Sequence, residues 1–211
     1  MRRIVKEIEP TSLTQHRSTP NSNYENYTRK DDLRMSLVAE QRGLCCYCLS
    51  RIHADRDSMK IEHWRSKSRY PADELTYSNL LAACKGNDGK AREIQHCDTR
   101  KGDADLKWNP SDQLHPVEQM IFFQDGKLRS RDAEFDTQID DILNLNLPFL
   151  QENRREILDA FTRALRKNRQ PLDRKRLERL LDQWPIDPHT GALKPYCQVV
   201  VYWISKRLLR P

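Results

Sequence analysis

The sequence predicts an α+β fold: a small cysteine-stapled module followed by a mainly helical region. Three observations carry this expectation. Five of the six cysteines fall between positions 45 and 97. An Asp125-Gly126 pair between two apolar runs reads as a β-hairpin turn. Beyond about residue 132 the apolar positions recur with a helical period instead of alternating. The chain therefore divides into residues 1–131, an N-terminal arm with the stapled module and hairpin, and residues 132–211, a helical region suited to docking a partner or a nucleic acid.

The elements follow in order. Residues 7–30 are polar, hold Pro10 and Pro20, and read as an extended arm. Asp31 or Asp32 caps a helix running to about Gln41 with Leu33, Leu37 and Val38 on its apolar side, and Gly43 suits a left-handed stop. Short strands are expected at 50–52 and 59–62 around a polar turn. A loop spans 63–76. Ser78 is placed to cap a helix starting near Asn79 that carries Leu80, Leu81 and Ala82. Residues 85–95, with Gly86 and Gly89, read as a surface insertion. Val117–Phe123 reads as a strand entering the Asp-Gly turn, with Leu128 on the return strand. Helical stripes follow at Phe135–Leu143, at Ile157–Leu165 after Pro148, at Leu177–Leu181, and from about Pro195 to Leu209.

Composition narrows the setting. The chain has 211 residues, 37% hydrophobic and 32% charged. It has no apolar run of membrane-spanning length, and Met1-Arg2-Arg3-Ile4-Val5-Lys6 lacks the apolar stretch of a signal peptide, so a cytoplasmic protein without membrane contact is expected. A net charge of +6 favours a phosphate-rich partner. Clustered cysteines in a reducing compartment read as metal ligands before disulfides. Cys197 lies apart in an apolar stretch and reads as a buried structural thiol.

Cys45 and Cys48 have the C-x2-C spacing of half a tetrahedral zinc site. Cys84 and Cys97 supply the other half, with the glycine-containing insertion letting them meet. Cys46 and His96 stay open as alternative ligands. About fifty residues of loops and short strands bury too little apolar surface to fix a precise geometry, and a structural Zn²⁺ supplies the missing folding free energy.

Within this frame stand Glu62, His63 and Asn79, with Asp98 just after the last cysteine. Metal-assisted phosphodiester cleavage needs a base to activate water, a hard cation to stabilise developing charge, and a group that orients the base. Histidine, carboxylates bound to Mg²⁺ or Mn²⁺, and an amide suit those roles. The pattern C-x2-C, Glu62-His63, Asn79-Leu80-Leu81, Cys84, then Cys97-Asp98-x-x-Lys101-Gly102 resembles the HNH endonucleases, whose fold is the ββα-metal module. Met1-Arg2-Arg3-Ile4-x-Lys6, Ser66-Lys67 and His96-Cys97-x-x-x-Lys101-Gly102-Asp103 are similar to the PtuB-like nucleases, over about residues 1–103. That resemblance implies His63 as general base, Glu62 and Asp98 as ligands of the catalytic ion, and Asn79 as the residue that orients His63 through backbone contacts. Aspartate at position 98 departs from the histidine or asparagine of other members. Lys101 and Arg100 are candidate substrate contacts, with Lys101 equally readable as solvating its loop. The resemblance further implies an ABC-type ATPase partner in Septu antiphage defence, in some cases with a retron-type RNA–DNA element, and DNA or RNA as substrate.

Lysines and arginines crowd the stretch from Arg154 to Arg179, including Arg163, Arg169 and Lys175. On helices such charges read first as a solvated or partner-facing surface and second as a nucleic-acid contact. The competing reading of the whole chain is a non-catalytic zinc-ribbon module that binds nucleic acid or protein. The Glu62-His63 pair discriminates, because a structural module has no need of it.

Overall fold

The computed structural model describes residues 1–168 and 170–209; Arg169 of the basic stretch lies outside the described residues. The architecture is α+β, with two small antiparallel sheets and a largely helical C-terminal region.

The N-terminal arm is not wholly extended: α1 (Thr11–Arg17) forms directly after Pro10 and buries Leu13 completely. Proline suits the entry to a helix because its fixed φ and missing N–H cost nothing there. Helix α2 (Lys30–Glu40) begins two to three residues earlier than a cap at Asp31 or Asp32 would have it. Asp31 and Asp32 fall inside its first turn and make no cap hydrogen bond; they complement the helix dipole instead. Gly43 has φ +78°, the expected left-handed stop.

Strand β1 (Met59–His63) pairs antiparallel with β2 (Leu80–Cys84), in a register that puts Glu62 opposite Leu81 and His63 opposite Leu80. The helix expected from Asn79 is thus a strand. Every residue of β2 is buried, and α2 packs against it together with α3 (Cys97–Lys101). A strand covered on both sides loses its polar–apolar alternation, so its sequence imitates a buried helix. The 50–52 segment forms only a single bridge, between Leu44 and Arg51.

Val117–Phe123 is also not one strand. A short helix, α4 (Val117–Met120), follows Pro116, and β3 (Ile121–Gln124) then turns through Asp125-Gly126 into β4 (Lys127–Ser130). Beyond this hairpin come α5 (Ala133–Asp141), α6 (Pro148–Lys167), α7 (Arg174–Gln183) and α8 (Gln198–Leu208). Asp132 caps α5 by accepting from Phe135 N at 2.9 Å, and Asp173 caps α7 by accepting from Arg176 N at 2.8 Å.

One apolar core runs from Met1 to Leu150, so residues on both sides of position 132 share it. A second joins Phe161 of α6, Leu177 of α7, and Val199, Val200 and Ile204 of α8. Cys197 is fully buried in a third cluster with Leu44, Leu49 and Leu193. That cluster docks the C-terminal region on the cysteine turn, where Tyr196 N donates to Leu49 O at 2.9 Å.

The basic stretch is not uniformly a solvated surface. Arg154 is 2% exposed and donates to Gly126 O at 3.0 Å and Leu145 O at 2.7 Å, locking α6 to the hairpin turn. Arg176 folds back on the carbonyls of Gln170 and Pro171. No helix among the described residues is long and apolar enough to cross a membrane.

Candidate active site

Four thiols converge first. The Sγ atoms of Cys45, Cys48, Cys84 and Cys97 all lie within 4.8 Å of one another, and all four residues are buried. Cys46 is not among them; its backbone N donates to Ala82 O at 2.9 Å, tying the turn to β2. His96 stands behind the cluster, its Nδ1 3.1 Å from Cys97 Sγ. The 85–95 insertion brings Cys84 and Cys97 together because it closes on itself. His96 N donates to Gly86 O at 3.0 Å, and Gly86 has φ +56°. A Cβ on Gly86 would stand 2.0 Å from His96 O, so only glycine fits. The four cysteines are placed to bind a metal in a closed site.

The same closure sets α3 beside the end of β1, and with it Asp98 against Glu62. The two carboxyl groups are close enough to share a hydrogen bond. Burial, then the neighbouring Asp98 charge, pushes the Glu62 carboxyl well above the usual carboxylate range. Two groups oppose this. Lys101 Nζ pairs with Glu62 Oε1 at 2.9 Å, and Tyr47 OH donates to the same oxygen at 2.6 Å. With both donors on Oε1, Glu62 Oε2 and the partly exposed Asp98 carboxylate remain for a cation.

His63 lies at the strand end, 7% exposed. Its Nε2 lies 3.0 Å from Glu74 O. A carbonyl only accepts, so Nε2 carries the proton and Nδ1 keeps its lone pair. Burial holds the ring's pKa down at about 4, so the imidazole is neutral at ordinary pH. The Tyr24 ring packs on it edge to face, centroid to centroid 4.5 Å.

Asn79 makes no side-chain hydrogen bond to His63. Its Nδ2 donates to Arg65 O at 3.0 Å and Asp73 O at 3.1 Å, and its Oδ1 accepts from Arg65 N at 2.7 Å. These bonds close the 65–74 loop at both ends, and that loop carries the Glu74 carbonyl that orients His63. The amide thus reaches the histidine's neighbourhood only through the backbone of this loop.

The two candidate substrate contacts lie otherwise than expected. The Lys101 ammonium is fully buried, bonded to Glu62 and to His63 O at 3.1 Å, with a longer contact of 3.5 Å to Gly102 O of its own loop, so it does not meet solvent. Arg100 Nη1 donates to Arg92 O at 2.8 Å, bracing the insertion. Tyr47 and Tyr24 escaped the sequence reading. Tyr47 had a signal: a tyrosine between Cys46 and Cys48 must enter the metal module's interior, where its hydroxyl needs a partner. Tyr24 sits in a polar arm with nothing local to mark it.

A hairpin, an asparagine-tied loop, and a helix bringing a second carboxylate to the first define a ββα-metal arrangement. No protein-family model matches the chain. It is 26% identical to the retron Ec83 putative HNH endonuclease of Escherichia coli, across 87% of this chain and 88% of that protein. It is also 26% identical to the Septu protein PtuB of Bacillus thuringiensis, across 56% of this chain and 42% of that protein. The chain is thus a distant relative of both, as the motifs suggested.

Proposed function

We propose that the chain is a metal-dependent endonuclease of the HNH type that hydrolyses phosphodiester bonds in DNA or RNA. The observation that carries this reading is the pairing of Glu62 and Asp98 beside a neutral His63 with a free Nδ1. A Mg²⁺ or Mn²⁺ ion held by the two carboxylates would stabilise charge developing on the phosphate and the leaving oxygen. His63 Nδ1 takes the proton of the attacking water. Glu74 O holds the ring in the productive tautomer and gains strength as the imidazole becomes charged. Asn79 keeps that carbonyl in place. Lys101 and Tyr47 fix one Glu62 oxygen so that the other faces the ion. The four cysteines hold a structural Zn²⁺, the ion that four thiolates at tetrahedral spacing suit best.

The zinc-ribbon alternative has no use for this arrangement. Burying Glu62 costs several kcal/mol, only partly repaid by Lys101, and a stapling module gains nothing from it. The relatives' names set them in a retron and a Septu system. The motif resemblance carries the finer proposal of a role in antiphage defence, with an ABC-type ATPase partner and, in a retron setting, an RNA–DNA element. The test is cleavage of plasmid DNA, single-stranded DNA and tRNA by the full chain, alone and with its neighbouring gene products. Cleavage is expected with Mg²⁺ or Mn²⁺ and not with His63→Ala. Equal cleavage by wild type and His63→Ala overturns the mechanism.

A further inference from the structure

With Lys101 buried, the site as described lacks any group to hold the substrate's phosphates. A set of cations around Tyr24 fills that gap. The Lys67 ammonium, from the loop after β1, lies 4.7 Å from the Tyr24 ring centroid. The Lys30 ammonium, from the first turn of α2, lies 4.8 Å from the same centroid. Arg34 of α2 is close enough to act on Tyr24 electrostatically, and its Nε is buried without a hydrogen-bond partner. Tyr24 is the ring that meets His63 edge to face, and Asp98 and Lys67 both act on this ring pair. Two cations from separate segments, Lys30 and Lys67, thus gather on one aromatic ring beside the reacting histidine, and Arg34 adds a third positive charge that acts on it.

Like charges this close repel one another, and the anions that relieve them, Asp31 and Glu25, are both largely exposed. Arg34 pairs with Asp31 at 2.6 Å. Lys30 donates to Tyr27 O at 2.9 Å and Glu25 O at 3.2 Å, both uncharged, and the Glu25 carboxylate acts on it only electrostatically. Lys67 has one anionic partner, Glu25, in a short ion pair. The Glu25 side chain is 76% exposed, so the pair is weakly held and readily exchanged.

We propose that Lys30, Arg34 and Lys67 form the cradle for the nucleic-acid phosphates flanking the cleaved bond, and that Glu25 occupies the phosphate position on Lys67 until substrate replaces it. This rests on the nuclease reading above and names the residues that hold its substrate. Contacts of this kind position a strand without reading its sequence, so the cradle is sequence-tolerant. It also lies in the N-terminal module, away from the basic helices.

The test is fluorescence anisotropy of the full chain with labelled single-stranded DNA and the duplex of the same sequence, at several salt concentrations and without added divalent ion. Each lost phosphate contact lowers the slope of log affinity against log salt by about 0.7 to 0.9. Lys67→Gln is expected to lower it by about one such step, and Lys30→Gln with Lys67→Gln by about two. Because Lys30 also ties the arm through backbone carbonyls, Lys67→Gln alone is the cleaner arm. Glu25→Gln is expected to tighten binding, a sign that a purely structural pair would not give. Lys175→Gln on the exposed side of α7 is expected to leave the slope unchanged. If wild type binds but Lys67→Gln keeps its slope, or Glu25→Gln weakens binding, the cradle is overturned and the nuclease reading stands. If wild type binds neither DNA, while tRNA is neither bound nor cut, the nuclease reading falls and the cradle with it.

Discussion

Lys101 Nζ lies 2.9 Å from Glu62 Oε1, and the two side chains are 0% and 2% exposed. This buried ion pair joins the last turn of α3 to the end of β1, and so couples the metal-stapled end of the module to the carboxylate pair. Its energetics differ from those of the exposed pairs elsewhere. Removing one partner leaves an uncompensated charge away from water, at a cost of about 3–5 kcal/mol. Lys101→Met is therefore expected to destabilise the chain by up to that order, and by less where Glu62 escapes the charge by taking up a proton beside Asp98. Combining it with Glu62→Gln should recover most of the stability and none of the activity. Thermal unfolding and cleavage assays on the single and double variants check both statements.

His63 makes the fold sensitive to acid with a definite sign. Its folded pKa is about 4, below the ordinary value of 6.5, because burial penalises the imidazolium. Above pH 6.5 folded and unfolded states are both neutral at this ring, and it contributes no pH dependence. As pH falls from 6.5 to 4 the unfolded state gains a proton that the folded state refuses, so stability is lost. The total is about 3 kcal/mol, levelling off below pH 4. His63→Gln should unfold with a shallower loss over that window in denaturant titrations. An equal loss in both proteins would place the acid sensitivity elsewhere, in the thiol cluster or the carboxylates. The same variant should retain its bound metal while losing cleavage.

The cysteine frame was legible in the sequence, and with it the candidates for the proposed site, for chemical reasons. Cys45, Cys48, Cys84 and Cys97 were readable because few other roles suit four thiols at that spacing, and Glu62, His63, Asn79 and Asp98 because they stand in order inside that frame. The hairpin at Asp125-Gly126 and the helices after 132 were readable because turn chemistry and apolar period are local signals. Long-range burial hid the rest. β2 was misread as a helix because both its faces are covered. Lys101 resembles any surface lysine until Glu62 is seen beside it, and Arg154 resembles its solvated neighbours until the carbonyls of Gly126 and Leu145 are seen to take its protons. Tyr24 reaches His63 from an arm whose path no local pattern fixes.

The thiol cluster discriminates between adjacent cysteines. Cys48 Sγ belongs to the group within 4.8 Å, whereas Cys46 does not. Cys46→Ala should purify with about one zinc per chain, at a modest stability cost from the small cavity. Cys48→Ser should lose the metal, and with it much of the module's folding free energy, which for structural zinc is of order 10 kcal/mol. Metal analysis by mass spectrometry, paired with limited proteolysis of residues 45–103, reads out both. Metal retained in Cys48→Ser and lost in Cys46→Ala would reverse the ligand assignment.

Two glycines of the same insertion give opposite expectations from similar backbone. Gly86 has φ +56° and Gly89 has φ +75°, so alanine at either pays the strain of a left-handed residue, about 1 kcal/mol. Around Gly89 nothing lies within 4 Å, and Gly89→Ala should cost little more than that. At Gly86 the new Cβ would meet His96 O at 2.0 Å, backbone that cannot move without dragging the next residue, Cys97. Gly86→Ala should therefore open the insertion and draw Cys97 from the other thiols. Because Cys97 is the first residue of α3, Asp98 and Lys101 move with it. Metal content, stability and cleavage are expected to fall together in Gly86→Ala and to persist in Gly89→Ala. A Gly86→Ala chain with full metal content would mean that the insertion closes without setting the cysteine geometry.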